Sequence, residues 1–169
     1  VNVSTLIDEV IREARSHGDD AMRIERDVKS DADLLGVERE LHSALANLAI
    51  NAIKYTPQDG RIKIRWYVDT RGGHLEVEDT GIGIAKEHLS RLTERFYRVD
   101  KSRVRGAGGT GLGLAIVKHA LQRHDATLQI DSKPGRGSCF SCHFPPERVS
   151  GTAGLIAKSS AAPSLSTVD

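Results

Sequence analysis

The chain has 169 residues, with 24 Lys or Arg against 23 Asp or Glu, a formal net charge of +1 and 38% apolar residues. That length supports one domain with its own core and not two, and the near-even charge excludes the global positive field that attracts nucleic acids or anionic membranes. No apolar run reaches the roughly 18 residues of a membrane span. The N-terminus VNVSTLIDEVIREAR has neither an initiating Met nor a signal-peptide pattern, so the sequence reads as a piece of a longer protein.

Leu6, Ile7, Val10, Ile11 and Ala14 recur at helical spacing and predict a first helix, capped by Ser4 or Thr5 and with Asp8 in its first turn. MRIERDV places Met22, Ile24 and Val28 at period two, which reads as a short strand. A long helix is expected from about Val37 to Tyr55, stopped by Pro57, Asp59 and Gly60. RIKIRWYVD and HLEVED form a hairpin pattern joined by TRGG, with Ile62, Ile64, Trp66, Val68, Leu75 and Val77 toward the core. After Asp79 come DTGIGI, a short helix around KEHLSRLTER, a polar Gly-rich segment from Phe96 to Gly111, and the helix pattern LGLAIVKHALQRH.

ATLQID and SCFSCHF close the domain as two strands around the turn KPGRG. Cys139 and Cys142 spell C-x-x-C, but the alternation turns Phe140, Cys142 and Phe144 inward and puts the two thiols on opposite faces, against metal or redox pairing. From Pro146 the composition shifts to Ser, Ala, Gly and Thr without periodicity. The expected division is a domain at 1–145 and a mobile low-complexity tail at 146–169.

Three stretches carry chemistry. In NLAINAIKY, at 47–55, two Asn sit inside an apolar helix that their side chains do not favour. At 100° per residue Glu40, Ser43, Asn47, Asn51 and Lys54 share an arc of roughly 80°, while Val37, Leu41, Ala44, Leu45, Leu48, Ala52 and Tyr55 occupy the neighbouring apolar arc. The stripe is either a solvated face or a ligand surface. Its amide oxygens are hard donors suited to Mg²⁺ that retains phosphate ligands, with Lys54 one turn on beside those phosphates.

In DTGIGI a strand delivers the Asp79 carboxylate, and Gly81 and Gly83 clear the adjacent backbone for a planar ligand. A carboxylate only accepts, so its natural target is an exocyclic amino group such as that of adenine; an ordinary Asx turn is the plain alternative. GAGGTGLG, from Gly106 to Gly113, runs into a helix and offers backbone N–H groups and a helix N-terminus to a polyphosphate. Its G-x-G-x-x-G match does not follow a buried strand but the charged segment RVDKSRVR, and no Lys-Ser/Thr follows it. Neither a dinucleotide fingerprint nor a P-loop fits.

These pieces in this order resemble the catalytic ATP-binding domain of sensor histidine kinases in the GHKL superfamily. NLAINAIKYT is similar to the N box, DTGIGI to the G1 box, ERFYRVD at 94–100 to the F box and GGTGLGL at 108–114 to the G2 box. FYRVDKSR is most similar to the phosphate-regulon sensor kinase branch. The resemblance implies an α+β fold of the Bergerat type, an α/β sandwich whose mixed, mostly antiparallel sheet is covered on one face by about three helices. It implies ATP and Mg²⁺ as ligands. Asp79 would accept the adenine amino group, with Gly81, Gly83 and Ile84 beside the ring. Asn51 would ligate Mg²⁺ next to Asn47, Lys54 would reach phosphate and Tyr55 would pack by the nucleotide. Arg98 would reach the γ-phosphate and Phe96 would dock the lid. Gly109, Thr110, Gly111, Leu112 and Gly113 would cradle the phosphates. Asn47, Lys54 and Arg98 are the implied catalytic set.

Hydrolytic members of the superfamily, such as DNA gyrase, place a Glu four residues before the Mg²⁺-binding Asn. Here that position is Asn47, and an amide is no general base. The expected acceptor is therefore a His, carried in the family on a separate dimerisation domain. None of His17, His42, His74, His88, His119, His124 or His143 has the acceptor's sequence context. The implied partners are that dimerisation domain and a response regulator, with no nucleic acid and no membrane contact by this fragment, at the cytoplasmic side of a membrane-anchored parent. The rivals are a nucleotide-binding regulatory module or protein-serine kinase relative without His phosphorylation, and a nicotinamide oxidoreductase built on residues 106–111.

Overall fold

The computed structural model describes residues 1–18, 22–99 and 111–151. The first helix, α1 (Val3–His17), buries Val3, Leu6, Ile7, Val10, Ile11 and Ala14 along one stripe. Its cap is Asn2, whose side chain accepts from the Thr5 amide at 2.8 Å, so the helix starts ahead of the expected Ser4 or Thr5. The strand β1 (Arg23–Val28) and the two-residue β2 (Asp33–Leu34) lead to α2 (Glu38–Tyr55), which buries Leu41, Ala44, Leu45, Leu48, Ala49, Ala52 and Ile53. Val37, expected on the apolar arc, is instead the exposed N-cap of α2, because the helix begins one residue later.

The hairpin forms as β3 (Arg61–Asp69) and β4 (Gly72–Asp79), followed by the single turn α3 (Lys86–Leu89) and by α4 (Gly113–Arg123). The strands β5 (Thr127–Lys133) and β6 (Gly137–Phe144) complete a five-stranded sheet in the order β1-β3-β4-β6-β5. Only β1 and β3 run parallel; the other three pairings are antiparallel. The expected mixed, mostly antiparallel sheet is therefore present, with α1, α2 and α4 over one face.

Alternation along the strands sends Ile62, Ile64, Trp66, Leu75, Val77, Phe140, Cys142 and Phe144 into the core against α1 and α2. Each large apolar side chain buried this way contributes about 1.5–3 kcal/mol. Val68, at the end of β3, is only half-buried. Trp66 is fully buried and donates its indole N–H to the Ala32 carbonyl at 3.2 Å. Cys142 is buried among apolar groups, which push its thiol up to about 12, while Cys139 lies on the opposite face and both are free.

Residues 146–151 correct part of the expected tail. Pro146–Arg148 form a 3₁₀ turn, and β7 (Val149–Ser150) pairs antiparallel with β2. Val149 is fully buried, and the Leu35 amide donates to the Arg148 carbonyl at 2.7 Å. The remainder of that stretch, 152–169, lies outside the described residues. Among the described residues no helix is long and apolar enough to cross a membrane.

His124 joins the helices to this layer. It is 2% exposed at the C-terminus of α4, its Nδ1–H donates to the Ala120 carbonyl at 2.7 Å, and its Nε2 accepts from the Val37 amide at 2.9 Å. Gly36 packs against the ring so closely that an added Cβ would sit 2.5 Å from His124 Cδ2. Replacing His124 by Ala removes both bonds and leaves a cavity, so chemical denaturation should register a loss of about 2–4 kcal/mol.

A candidate nucleotide cleft

A cavity of about 190 Å³ opens between α2, the loop after β4, residues 97–99 and the start of α4. On the α2 side it is lined by Asn47, Asn51, Lys54 and Tyr55, all half-buried, so the polar stripe faces a cavity and not bulk water. Asn47 donates its amide N–H to the Ser43 carbonyl at 2.8 Å, one turn back. Its Oδ1 faces Gly113, where an added Cβ would lie 3.0 Å from that oxygen. Asn51, Lys54 and Arg98 also line the cavity and make no hydrogen bond or ion pair among the described residues.

Asp79 forms the floor, 6% exposed, with no cation partner among the described residues. Burial pushes its carboxyl above the usual carboxylate range, with the Gly81 and Ser138 amides pulling the other way. Oδ1 accepts from the Gly81 N–H at 2.9 Å. A buried carboxylate with only backbone amides and no cation beside it is costly unless something else hydrogen-bonds it. Around it the walls are apolar: Ile50, Ile82, Ile84, Leu92, Val99, Leu114 and Phe140.

The loop after β4 is held in place by the end of α2. The Ile82 amide donates to the Tyr55 carbonyl at 3.0 Å, satisfying one of the helix's orphan acceptors. Gly81 is required for that approach, since a Cβ there would lie 2.3 Å from the same carbonyl oxygen. It acts by close packing and does not line the cavity. Gly83 does, at φ +70°, and a Cβ there would meet the Lys133 carbonyl at 2.0 Å. Ile84 is anchored through its amide to Ser132 Oγ at 2.8 Å.

At the opposite wall, Leu112 is the N-cap of α4 and supplies no side-chain bond, so among the described residues the helix's first amides are left without a side-chain cap at the cavity edge beside Gly111 and Gly113. Phe96 is not in the cavity. The residue is 71% exposed, and it meets the glycine segment through backbone, donating its amide to the Gly111 carbonyl at 2.9 Å. Gly109 and Thr110 lie outside the described residues. The structure thus gathers Asn47, Asn51, Lys54, Tyr55, Asp79, Gly83, Ile84, Arg98, Gly111 and Gly113 around one space, and sets Gly81 and Phe96 behind it.

Leu92, Tyr97, Val99, Leu114 and Ser138 were not singled out from the sequence as site residues, yet they line the cavity too. Tyr97 is held by a hydrogen bond with His88 and by Arg91, whose guanidinium lies 4.4 Å from the ring centroid. No local pattern marks such residues. They come together because a loop and a sheet face meet.

A recessed acceptor-only floor, apolar walls and a mouth with two cations that have no ion-pair partner among the described residues, amide oxygens and a helix N-terminus suit a planar base with an exocyclic amine joined to a polyphosphate. A divalent cation fits beside Asn51 only if the ligand brings most of its oxygens. Among the described residues no three His, Cys, Asp or Glu converge to hold an ion by themselves.

Comparison with known proteins agrees with this chemistry. Residues 36–148 match the family of histidine kinase-, DNA gyrase B-, and HSP90-like ATPases. The chain is 60% identical over 127 residues to the phosphate regulon sensor protein PhoR of Pseudomonas aeruginosa, covering 75% of this chain and 29% of that protein. It is 44% identical over 148 residues to the sensor-like histidine kinase SenX3 of Mycobacterium tuberculosis, covering 86% of this chain and 36% of that one. It therefore spans about a third of the length of these relatives. Among solved structures, the mycobacterial sensor histidine kinase MprB superposes with a TM-score of 0.77 at 29% identity, covering 86% of this chain and 96% of that one. Full-length ShkA in complex with AMPPNP gives 0.74 at 27% identity, covering 86% of this chain and 30% of that one. The chain belongs to the histidine kinase-, DNA gyrase B-, and HSP90-like ATPase family, and within it to the catalytic domains of sensor histidine kinases.

Proposed function

We propose that this domain binds Mg-ATP in the cleft and donates the γ-phosphoryl group to a His on a separate dimerisation domain of the same kinase, from which a response regulator then draws it. The observation that carries the reading is the buried Asp79 carboxylate beneath a mouth containing Asn51, Lys54 and Arg98, which have no partner among the described residues. Asp79 accepts the purine amine, Tyr55, Ile84 and Phe140 flank the base, and the uncapped start of α4 receives the phosphates. Asn51 supplies an amide oxygen to Mg²⁺, which when bound neutralises charge developing on the transferring group. Lys54 and Arg98 contact phosphate oxygens, and the planar guanidinium of Arg98 can hold two of them at once.

Transfer is favoured over hydrolysis by Asn47, whose amide is tied to Ser43 and cannot take a proton from water. An imidazole acceptor needs no such base. None of the seven histidines of this chain lines the cavity, so the acceptor comes from outside it. The need for ATP puts the domain on the cytoplasmic side of a membrane-anchored parent.

Incubated alone with γ-labelled ATP, the chain should bind nucleotide and remain unlabelled. Addition of the parent's dimerisation domain should produce an acid-labile, base-stable phosphohistidine on that partner, which a response regulator then discharges. Binding without transfer to that partner would favour a regulatory module, and label on a serine would favour the protein-serine kinase alternative.

A further inference from the structure

The segment from Ala85 to Tyr97 advances in steps of three. The His88 amide donates to the Ala85 carbonyl at 3.0 Å, the Arg91 amide to His88 at 3.0 Å, the Glu94 amide to Arg91 at 3.0 Å and the Tyr97 amide to Glu94 at 3.3 Å. Side chains three apart along such turns lie one above the other, so His88, Arg91, Glu94 and Tyr97 share one side. There they close on Tyr97. Its phenol bonds to His88 Nδ1, and the Arg91 guanidinium lies 4.4 Å from the ring centroid while its Nε donates to Glu94 at 3.3 Å. Glu87 Oε1, which only accepts, is 3.4 Å from His88 Nε2 and favours the ring proton there, leaving Nδ1 to accept the phenol O–H.

His88 and Tyr97 are half-buried and Arg91 is exposed, all outside the hydrophobic core. Contacts of this kind add little to the fold. What they fix is backbone. Phe96, just before Tyr97, has φ +65°, and Gly111, bonded to it, has φ +71°. Left-handed backbone at a residue with a side chain persists only where its neighbours hold it. Arg98, just after Tyr97, lines the cleft mouth without a hydrogen bond or ion pair among the described residues, so its place is set by the chain that carries it.

We propose that His88 of α3 and Arg91 just beyond it are positioning residues for phosphoryl transfer, holding Tyr97 and thereby presenting Arg98 to the terminal phosphate. This rests on the reading of the cleft as a Mg-ATP site. The phenol works toward His88 and not toward the nucleotide, and His88 touches no ligand. The base pocket of Asp79, Tyr55, Ile84 and Phe140 is built from α2, β4, the loop after it and β6, so it stands without the clamp. Loss of the clamp therefore slows transfer and leaves ADP binding intact.

Transfer to the parent's dimerisation domain at saturating Mg-ATP is compared with calorimetric titrations of ADP and AMPPNP. His88→Ala should slow transfer roughly 10- to 100-fold, the scale of a small misplacement at a reacting group, and lower the preference for AMPPNP over ADP. The ADP Kd and the thermal midpoint should stay as in wild type. His88→Asn, whose Oδ1 occupies the place of Nδ1, should restore most of the rate. Tyr97→Phe should match His88→Ala, and the double variant should be no slower than either alone, since all three delete one bond. Equal transfer by wild type and His88→Ala, an Asn variant no faster than Ala, or losses that multiply in the double variant would overturn the proposal alone. A wild-type chain that failed to bind nucleotide or to transfer would overturn the reading of the cleft, and the clamp's role with it.

Discussion

Asp79→Asn should all but abolish adenine nucleotide binding while making the ligand-free chain more stable at neutral pH. The binding loss follows from polarity. An Asn side chain can turn its only oxygen to the Gly81 N–H that Asp79 now bonds at 2.9 Å, which leaves its NH₂ facing the purine amine. Losing a charge-assisted bond and burying two donors against each other costs about 2–4 kcal/mol, roughly 30- to 1000-fold in Kd. Calorimetric titration with Mg-ADP measures this directly, and an unchanged Kd would mean that the base lies elsewhere.

The stability gain follows from linkage. Burial raises the native pKa of Asp79 above its unfolded value near 3.8, so the native state holds that proton more tightly than the unfolded chain does. The ionised carboxylate therefore lowers stability. The penalty is absent below pH 3.8, grows as pH rises from there through the native value, and levels off above it. Asn has no charge to bury. The variant's thermal midpoint should exceed the wild type's at pH 7, and the gap should close toward acid pH. A lower midpoint at pH 7 would contradict the idea that this residue is kept for its ligand at a cost to the fold.

Asn51→Ala should separate binding from transfer. The side chain lines the cavity without any partner among the described residues, so its loss leaves no buried group unsatisfied. Ala is also the better helix former, by a few tenths of a kcal/mol. Stability should stay level or rise slightly, and nucleotide affinity should fall modestly because Asp79 and the apolar walls remain. Phosphoryl transfer to the dimerisation domain at saturating ATP should drop roughly 10²–10³-fold, the scale for removing one electrostatic contact to a transferring group, and should need more Mg²⁺. An unaltered Mg²⁺ dependence would remove Asn51 from the metal site.

The parts of the fold that were legible in advance have a repeat. Period 3.6 exposed α1, α2 and α4, and period two exposed β1, the β3–β4 hairpin and the inward set of β6. The Asn stripe was readable because two poor helix formers sat one turn apart on an otherwise apolar helix. Two-residue strands have no period, so the β2–β7 pairing was hidden, and with it the buried Val149 inside an apparently featureless tail. Phe96 was expected to dock the lid, and its contact with Gly111 is made through its backbone, which no side-chain pattern announces.

The sequence by itself determined the helices and strands and the identity of the carboxylate, amides and cations of the cleft, because each is written in spacing along a single element; the layer order came only from the family that the motifs resemble. Tertiary structure alone decided which of them share a space. Docking of the loop after β4 onto the Tyr55 carbonyl closes the cavity over Asp79, and the β4–β6 register sets His74 against His143. Both depend on contacts between residues far apart in the chain, where packing and strand register, not local propensity, set the distance.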